Sequence, residues 1–307
     1  MMNNTGISGV IVPMVTPLDH KLSIDIAAVV KILDAFMEAG VSPFILGTTG
    51  ESVSISNGQK ELLVRTVCAH ARGHLTIYAG ISGNCLSESV NNAKVYSDMG
   101  VDAVVAHLPF YYPVSGAQML RYFEQMADHV NVPLILYNNP ATVRESIPLE
   151  VIDKLSHHPN IAGIKDSERG ISRLDRSLAL WKDRDDFVHL LGWSARSVYG
   201  LSKGSAGIVP STGNLTPQLY RDLYDAAIQG RLKEAGELQS ITDRITEIYQ
   251  KDRSLSEAIP ALKVMMASMG LCSPFVLPPL YEMNSHEAEQ VRNLFLAEIK
   301  DLQLKTG

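Results

Sequence analysis

The sequence predicts an α/β protein, an eight-stranded (β/α)8 TIM barrel with an appended C-terminal helical region, and three observations carry that reading. Short apolar runs alternate with amphipathic helical patterns along the first two-thirds of the chain. Successive runs end at Gly47, Gly80, Leu108, Tyr137, Lys165 and Gly192, which lie 27 to 33 residues apart, one strand and one helix per step. The runs are apolar on both faces, as strands of a parallel sheet covered by helices must be. Eight such units close into a barrel.

The first strand falls at 9–14, where Val10-Ile11-Val12-Pro13-Met14 leads into Val15-Thr16-Pro17. No GxGxxG turn follows it, which weakens the runner-up architecture, an open doubly wound sheet. Helix 24–39, strand 44–46, helix 56–72, strand 76–80, helix 87–99 and strand 103–107 come next. They are followed by helix 116–129, strand 134–137, helix 148–157, strand 161–164, helix 171–181, strand 188–191, helix 195–203 and strand 206–209. Each helical segment spaces its apolar residues three and four apart, and each strand is bounded by turn residues. Before the fifth helix Ser146 is a cap candidate, and Pro148 falls in the first turn, where its missing N–H costs little. After Asp166-Ser167 the pattern reads as the start of a helix. From Thr216 to about Leu304 only helical segments remain, broken at Pro260 and around 273–279. Residues 1–215 are therefore assigned to the barrel and 216–307 to the helical region.

Composition narrows the function classes. With 46% hydrophobic and 20% charged residues, 307 residues can bury a large core. A net charge of −6 without a basic stripe excludes a phosphate-backbone binder, so nucleic acid is not an expected partner. Cys68, Cys85 and Cys272 have neither disulfide-framework nor zinc-ligand spacing and read as core or loop residues in a reducing compartment. Met1 to Thr5 carry no basic segment leading into an apolar one, and no apolar run approaches a membrane span. The expected compartment is the cytoplasm.

In a barrel of this kind the active site lies at the C-terminal ends of the strands, so the residues there are the ones to question. Lys165 ends the apolar run Ile161-Ala162-Gly163-Ile164. Burial disfavours its ammonium and yields a neutral amine, the nucleophile that forms an imine with a carbonyl. The competing reading is a lysine that snorkels to solvent. Gly47-Thr48-Thr49-Gly50-Glu51-Ser52 follows the second strand, with two glycines that let a ligand approach the backbone; helix capping alone would also account for it. Pro109-Phe110-Tyr111-Tyr112-Pro113 follows the fourth strand and Tyr137-Asn138-Asn139-Pro140 ends the fifth. Each alone reads as a packed loop or a core tyrosine. Together at one mouth they supply an amine to attack a ketone, a phenol to move protons, and hydroxyls and N–H groups to hold a carboxylate.

The segments Gly47 to Ser52, Tyr137 to Pro140 and Gly163-Ile164-Lys165-Asp166-Ser167 resemble the signatures of the dihydrodipicolinate synthase/N-acetylneuraminate lyase family, and Val12 to Pro17 resembles its opening strand. The resemblance implies a pyruvate-type Schiff-base enzyme on a barrel, assembled as a homotetramer from a pair of dimers. It implies that Lys165 forms the imine and that Tyr137 carries protons. It assigns the substrate carboxylate to Thr48 and Thr49 beside Gly47, with Thr48 also in a hydroxyl relay. Tyr111, or the adjacent Tyr112, would complete that relay across the dimer interface, and a backbone carbonyl at Val209 would face the site.

The chain departs from the pattern at the second substrate. Synthases of the family carry an arginine where Thr142 stands; Arg144 is two positions later, a shift that re-aims a side chain. Sialic-acid lyases carry an acidic pair where Trp193-Ser194 follow Gly192. Trp193 either narrows the pocket or packs beneath a loop, and Ser211 offers a hydroxyl contact. The expected reaction is reversible aldol cleavage of a 2-oxo acid, such as a 2-keto-3-deoxy sugar acid, to pyruvate and an aldehyde. The alternatives are the synthase reaction with a changed aldehyde, N-acetylneuraminate lysis, a related dehydratase, and a non-catalytic 2-oxo acid binding protein. No metal or organic cofactor is required, because the imine is the electron sink.

Overall fold

A computed structural model describes residues 5–302. The N-terminal segment read for a leader lies outside them except for Thr5, as does the extreme C-terminus. Eight parallel strands close into a barrel in chain order: β1 (Gly9–Pro13), β2 (Ser42–Ile45), β3 (Tyr78–Gly80), β4 (Ala103–Ala106), β5 (Leu134–Asn138), β6 (Ile161–Asp166), β7 (Val188–Leu191) and β8 (Gly207–Ile208). β8 returns to β1 through Gly9 opposite Gly207 and Val10 opposite Ile208.

Side chains alternate between two apolar compartments, as the strand period of two requires. Phe44, Val105, Ile135, Val188 and Leu190 fill the barrel interior with Ile11, Tyr78 and Tyr137. Val104, Leu134, Leu136, Ile164 and Leu191 face outward into the larger layer beneath the helices. By the same alternation Lys165, between Ile164 and Asp166, points inward at the mouth.

The helices are α1 (Ile26–Ala39), α2 (Asn57–Ala71), α3 (Leu86–Met99), α4 (Gly116–Ala127), α5 (Pro140–Val143), α6 (Leu149–Leu155), α7 (Ile171–Trp181), α8 (Ser197–Ser202), α9 (Pro217–Ile228), α10 (Leu232–Gln250), α11 (Leu255–Ser268) and α12 (Ser285–Asp301). Local chemistry sets several ends. Asp25 accepts from the Ala28 N–H to cap α1, and Gly40 closes it in the left-handed region. Ser115 and Gln118 form a capping box on α4.

The structure corrects several sequence expectations. β6 runs through Lys165 and Asp166 because both neighbours extend the ladder: Tyr137 and Leu190 lie opposite Lys165, and Asn138 and Leu191 opposite Asp166. Asp166 therefore ends a strand, and α7 begins only at Ile171. Ser146 does not cap α6. Its hydroxyl goes to Glu168, and Pro148 itself occupies the cap position. The short helix α5 after β5 was not anticipated.

Pro260 is the sixth residue of α11, in its second turn, and the helix continues through it with one backbone hydrogen bond forgone and the ring packed in the core. The break falls instead between α10 and α11, where Asp252 is left-handed at φ 57°. Helix α9 packs against β1, α1 and α8 as well as α10. By packing it belongs to the helical ring, although the division at 215/216 groups it with the appended helices. Among the described residues no helix is long and apolar enough to cross a membrane.

Candidate active site

Lys165 reaches the mouth from β6 with only 5% of its surface exposed. Its Nζ lies 3.7 Å from the centroid of the Tyr137 ring and 4.8 Å from that of Phe44. Beneath it the interior closes over Ile11, Tyr78, Val105, Ile135, Leu190 and Val209. Burial among these groups pushes the amine below the usual lysine range, against the opposing pull of Tyr137's charge and hydrogen bond. No carboxylate pairs with it in any ion pair among the described residues.

Tyr137 stands beside it on β5. Its phenol is within hydrogen-bond distance of Thr48 Oγ1, at 3.3 Å, and accepts from Asn139 Nδ2 at 3.0 Å. Burial alone would raise the phenol. The Lys165 charge and hydrogen bonds with Thr48, Lys165 and Ser167 outweigh it, so the phenol sits below its ordinary value. Amine and phenol are coupled, so their titration steps belong to the pair rather than to either residue.

The turn bearing Thr48 and Thr49 is tightly seated. A Cβ on Gly47 would lie 2.8 Å from the Phe44 ring, so only glycine leaves that ring its place against Lys165. Thr16 Oγ1 donates to the Gly50 carbonyl at 2.6 Å, and the Glu51 N–H closes the turn on the Thr48 carbonyl at 3.1 Å. The short 3-10 turn that follows makes no side-chain cap bond, so Thr48 is directed to Tyr137 rather than to a helix end.

A polar network fixes the loops after β5 and β6 from behind. Asn138 Nδ2 donates to Asp166 Oδ1 and to Glu168 Oε2, both at 2.9 Å, and its Oδ1 accepts the Ile147 N–H. Arg173 Nε meets Asp166 Oδ2 at 2.9 Å, and its other nitrogens reach Ser146 Oγ and the Ile147 carbonyl. Every donor of this buried amide is satisfied, which holds Tyr137 and Lys165 on neighbouring strands in one register.

The remaining sequence candidates are placed by their contacts. Val209 lines the interior below Lys165. Thr142 sits in α5 with its hydroxyl on the Asn139 carbonyl at 3.0 Å. Ser211 is turned toward the appended helices, 2.7 Å from the Tyr249 hydroxyl. Trp193 packs on the strand–helix layer, with the Arg196 guanidinium 5.3 Å from its ring, which is the packing of a loop. Tyr111 is 74% exposed and stacks edge-on with the equally open Tyr112. The single chain does not bring either to Thr48.

Two residues at the mouth escaped the sequence reading. Asn139 stands in the sequence as one residue of the Tyr137-Asn138-Asn139-Pro140 segment, yet it donates to the Tyr137 phenol. His107 follows the inward positions Ala103 and Val105, is buried, and sets its ring edge-on to Tyr137 at 6.1 Å. Its Nδ1–H donates to the Leu108 carbonyl at 2.6 Å, which leaves the lone pair on Nε2. Burial lowers its pKa, the Leu108 bond opposes this and the Lys165 charge adds to it, which favours the neutral imidazole. The inward alternation along β4 was the signal that could have found it.

A model of the dihydrodipicolinate synthetase family matches residues 6–298. The chain belongs to this family. It is a Schiff-base lyase of the class I, pyruvate-dependent type. The chain is 31% identical over 301 residues to an uncharacterized DapA-like lyase of Thermofilum pendens, covering 97% of this chain and 98% of that one. It is 29% identical over 285 residues to a 4-hydroxy-tetrahydrodipicolinate synthase of Alkalilimnicola ehrlichii, covering 92% and 96%. The fold superposes with a TM-score of 0.90 on YagE, a prophage protein of the same family from E. coli K12 solved in complex with pyruvate. That pair is 26% identical, with 97% and 99% of the chains covered.

Proposed function

We propose that this lyase cleaves a 2-oxo acid reversibly to pyruvate and an aldehyde, with Lys165 as the imine-forming amine and Tyr137 as the proton carrier. The observation that carries the reading is the buried Nζ, 3.7 Å from the Tyr137 ring and without a carboxylate partner. An ammonium there would lack the solvation that stabilises it, so the free amine is favoured.

The neutral amine attacks the ketone carbon, and the Tyr137 phenol supplies and recovers protons as the carbinolamine loses water. In the resulting iminium the bond between the third and fourth carbons breaks. Its electron pair passes into the enamine, while the proton of the hydroxyl on the fourth carbon goes to Tyr137 and the aldehyde departs. Protonation of the enamine and addition of water release pyruvate and restore Lys165. Thr48 and Thr49 hold the carboxylate through hydroxyl and backbone N–H groups.

The preference for cleavage over the synthase reaction rests on Thr142. Its hydroxyl is engaged with Asn139, and no guanidinium occupies that position to meet a second carboxylate in two parallel hydrogen bonds. The family resemblance supports a cytoplasmic homotetramer, in which the open Tyr111 side chain is free to enter a neighbouring subunit's site. Incubation with pyruvate and borohydride tests the reading. A stable mass adduct on Lys165, lost in Lys165→Ala, is expected. An unmodified wild-type protein would return the chain to the binding-protein reading. Pyruvate release from a panel of 2-oxo sugar acids then identifies the aldehyde.

A further inference from the structure

We infer that Glu51 and Lys263 form a positioning pair through which the appended helices hold the Thr48–Thr49 turn in the geometry the substrate carboxylate needs. The inference relies on the proposed function for what the turn binds.

Both side chains are wholly buried, with 0% of either exposed. Lys263 Nζ, on α11, donates to Glu51 Oε1 at 2.5 Å and to the Phe275 carbonyl at 2.7 Å. The other carboxylate oxygen, Oε2, accepts the Leu277 N–H at 2.6 Å. One carboxylate thus ties the barrel to a helix and to a loop more than 200 residues away in sequence.

Glu51 is also the residue that closes the turn. Its N–H bonds to the Thr48 carbonyl, so a displacement of Glu51 passes through one hydrogen-bonded turn to the threonine facing Tyr137. Glu51 is left-handed at φ 55°, and Leu46, just before the turn, is left-handed at the same angle. Non-glycine residues persist in that region when their surroundings hold them there. At Glu51 the holding groups are Lys263 and Leu277.

A buried ion pair is a weak device for stability, because an apolar pair of the same size is often as good. A geometric purpose accounts for its place. The pair lies directly behind the segment that must present two hydroxyls and backbone N–H groups at fixed points, and a displacement of about 1 Å there is enough to cost roughly a hundredfold in rate.

The experiment compares Glu51→Gln, Lys263→Met and the double variant with wild type, in the full chain. Each single variant strands a buried polar or charged group and should melt lower. The double variant removes both charges, although the Phe275 carbonyl loses its donor, and should melt above either single variant. If the pair positions the turn, the double variant keeps a pyruvate KM raised by about tenfold or more despite melting above the single variants. Borohydride should still trap Lys165 in it at saturating pyruvate, because the amine is untouched. Amide exchange at 47–52 should also quicken while that of the other strand ends does not. Wild-type KM and unchanged exchange in the double variant would overturn the inference and leave a purely structural pair. If wild type itself fails to trap pyruvate, the Schiff-base reading fails instead, and the exchange data, which need no substrate, still decide the positioning.

Discussion

Among the described residues two lysines are buried, Lys165 and Lys263, and they are buried for opposite ends. Lys263 delivers its ammonium to a carboxylate and a carbonyl, in a setting that satisfies a cation. Lys165 ends against two aromatic rings and an apolar floor, with a phenol as its polar neighbour. Both are buried; the partner makes the difference. Burial with a counter-ion builds a strut, and burial without one builds a nucleophile, because at Lys165 no opposite charge offsets the desolvation of the ammonium.

Removing the buried amine of Lys165 or its phenol neighbour should break the comparison most visibly in activity. Lys165→Ala should lower kcat by about 10^5-fold, the scale on which removal of a covalent nucleophile is felt, and abolish the borohydride adduct. Residual activity above about 1% of wild type would mean that another group forms the imine. Tyr137→Phe comes next. It keeps the ring against Lys165 and removes the proton carrier, so kcat should fall by about 10^2- to 10^4-fold, with the affinity for pyruvate changed far less. Equal losses in binding and turnover would recast Tyr137 as a packing residue.

Stability should separate the lysines by sign. Lys263→Met leaves Glu51 with its charge uncompensated in the core, at a cost of about 3–5 kcal/mol. Lys165→Met replaces an unpaired buried amine with an apolar chain of similar length, and should stabilise by about 1–3 kcal/mol, the scale of relieving a buried polar group. Denaturant midpoints of the two variants check both. Destabilisation of the same size in each would erase the distinction between strut and nucleophile.

The eight strands were legible because a parallel barrel demands short runs that are apolar on both faces, and few other folds repeat them at this spacing. Lys165, Tyr137 and Thr48 were legible for a related reason: polar side chains stand at the ends of such runs. Tertiary facts were not. The partner of Glu51 is Lys263, and no local pattern announces an ion pair across that interval. Pro260 read as a break because proline ends most helices, yet α11 continues through it with the ring buried in the core. His107 was hidden by its position, counted as the last residue of a strand when the alternation of β4 already pointed it inward. Ser146 looked like a cap because its spacing to Pro148 suited one, whereas the Asn138–Asp166–Arg173 network had the stronger claim on its hydroxyl.

The pH dependence of the Lys165→Met gain is the smallest effect and the sharpest on cause. The folded amine has its pKa below the ordinary 10.5, so between the two values the unfolded chain binds the proton that the folded chain has released. Wild-type stability therefore rises with pH across that window, through this group. Below the folded pKa the cost of holding the charge is present in full; near 10.5 both states are losing the proton and the cost is gone. The advantage of Lys165→Met should accordingly be greatest at low pH and shrink as pH climbs toward 10.5, while kcat/KM of wild type rises with the free amine and levels off before an ordinary lysine would have titrated. Urea midpoints of wild type and variant, measured across the pH range where both fold, give the difference directly. A gain that stays constant with pH would mean that the methionine helps by packing alone, and that desolvation is not what frees the amine.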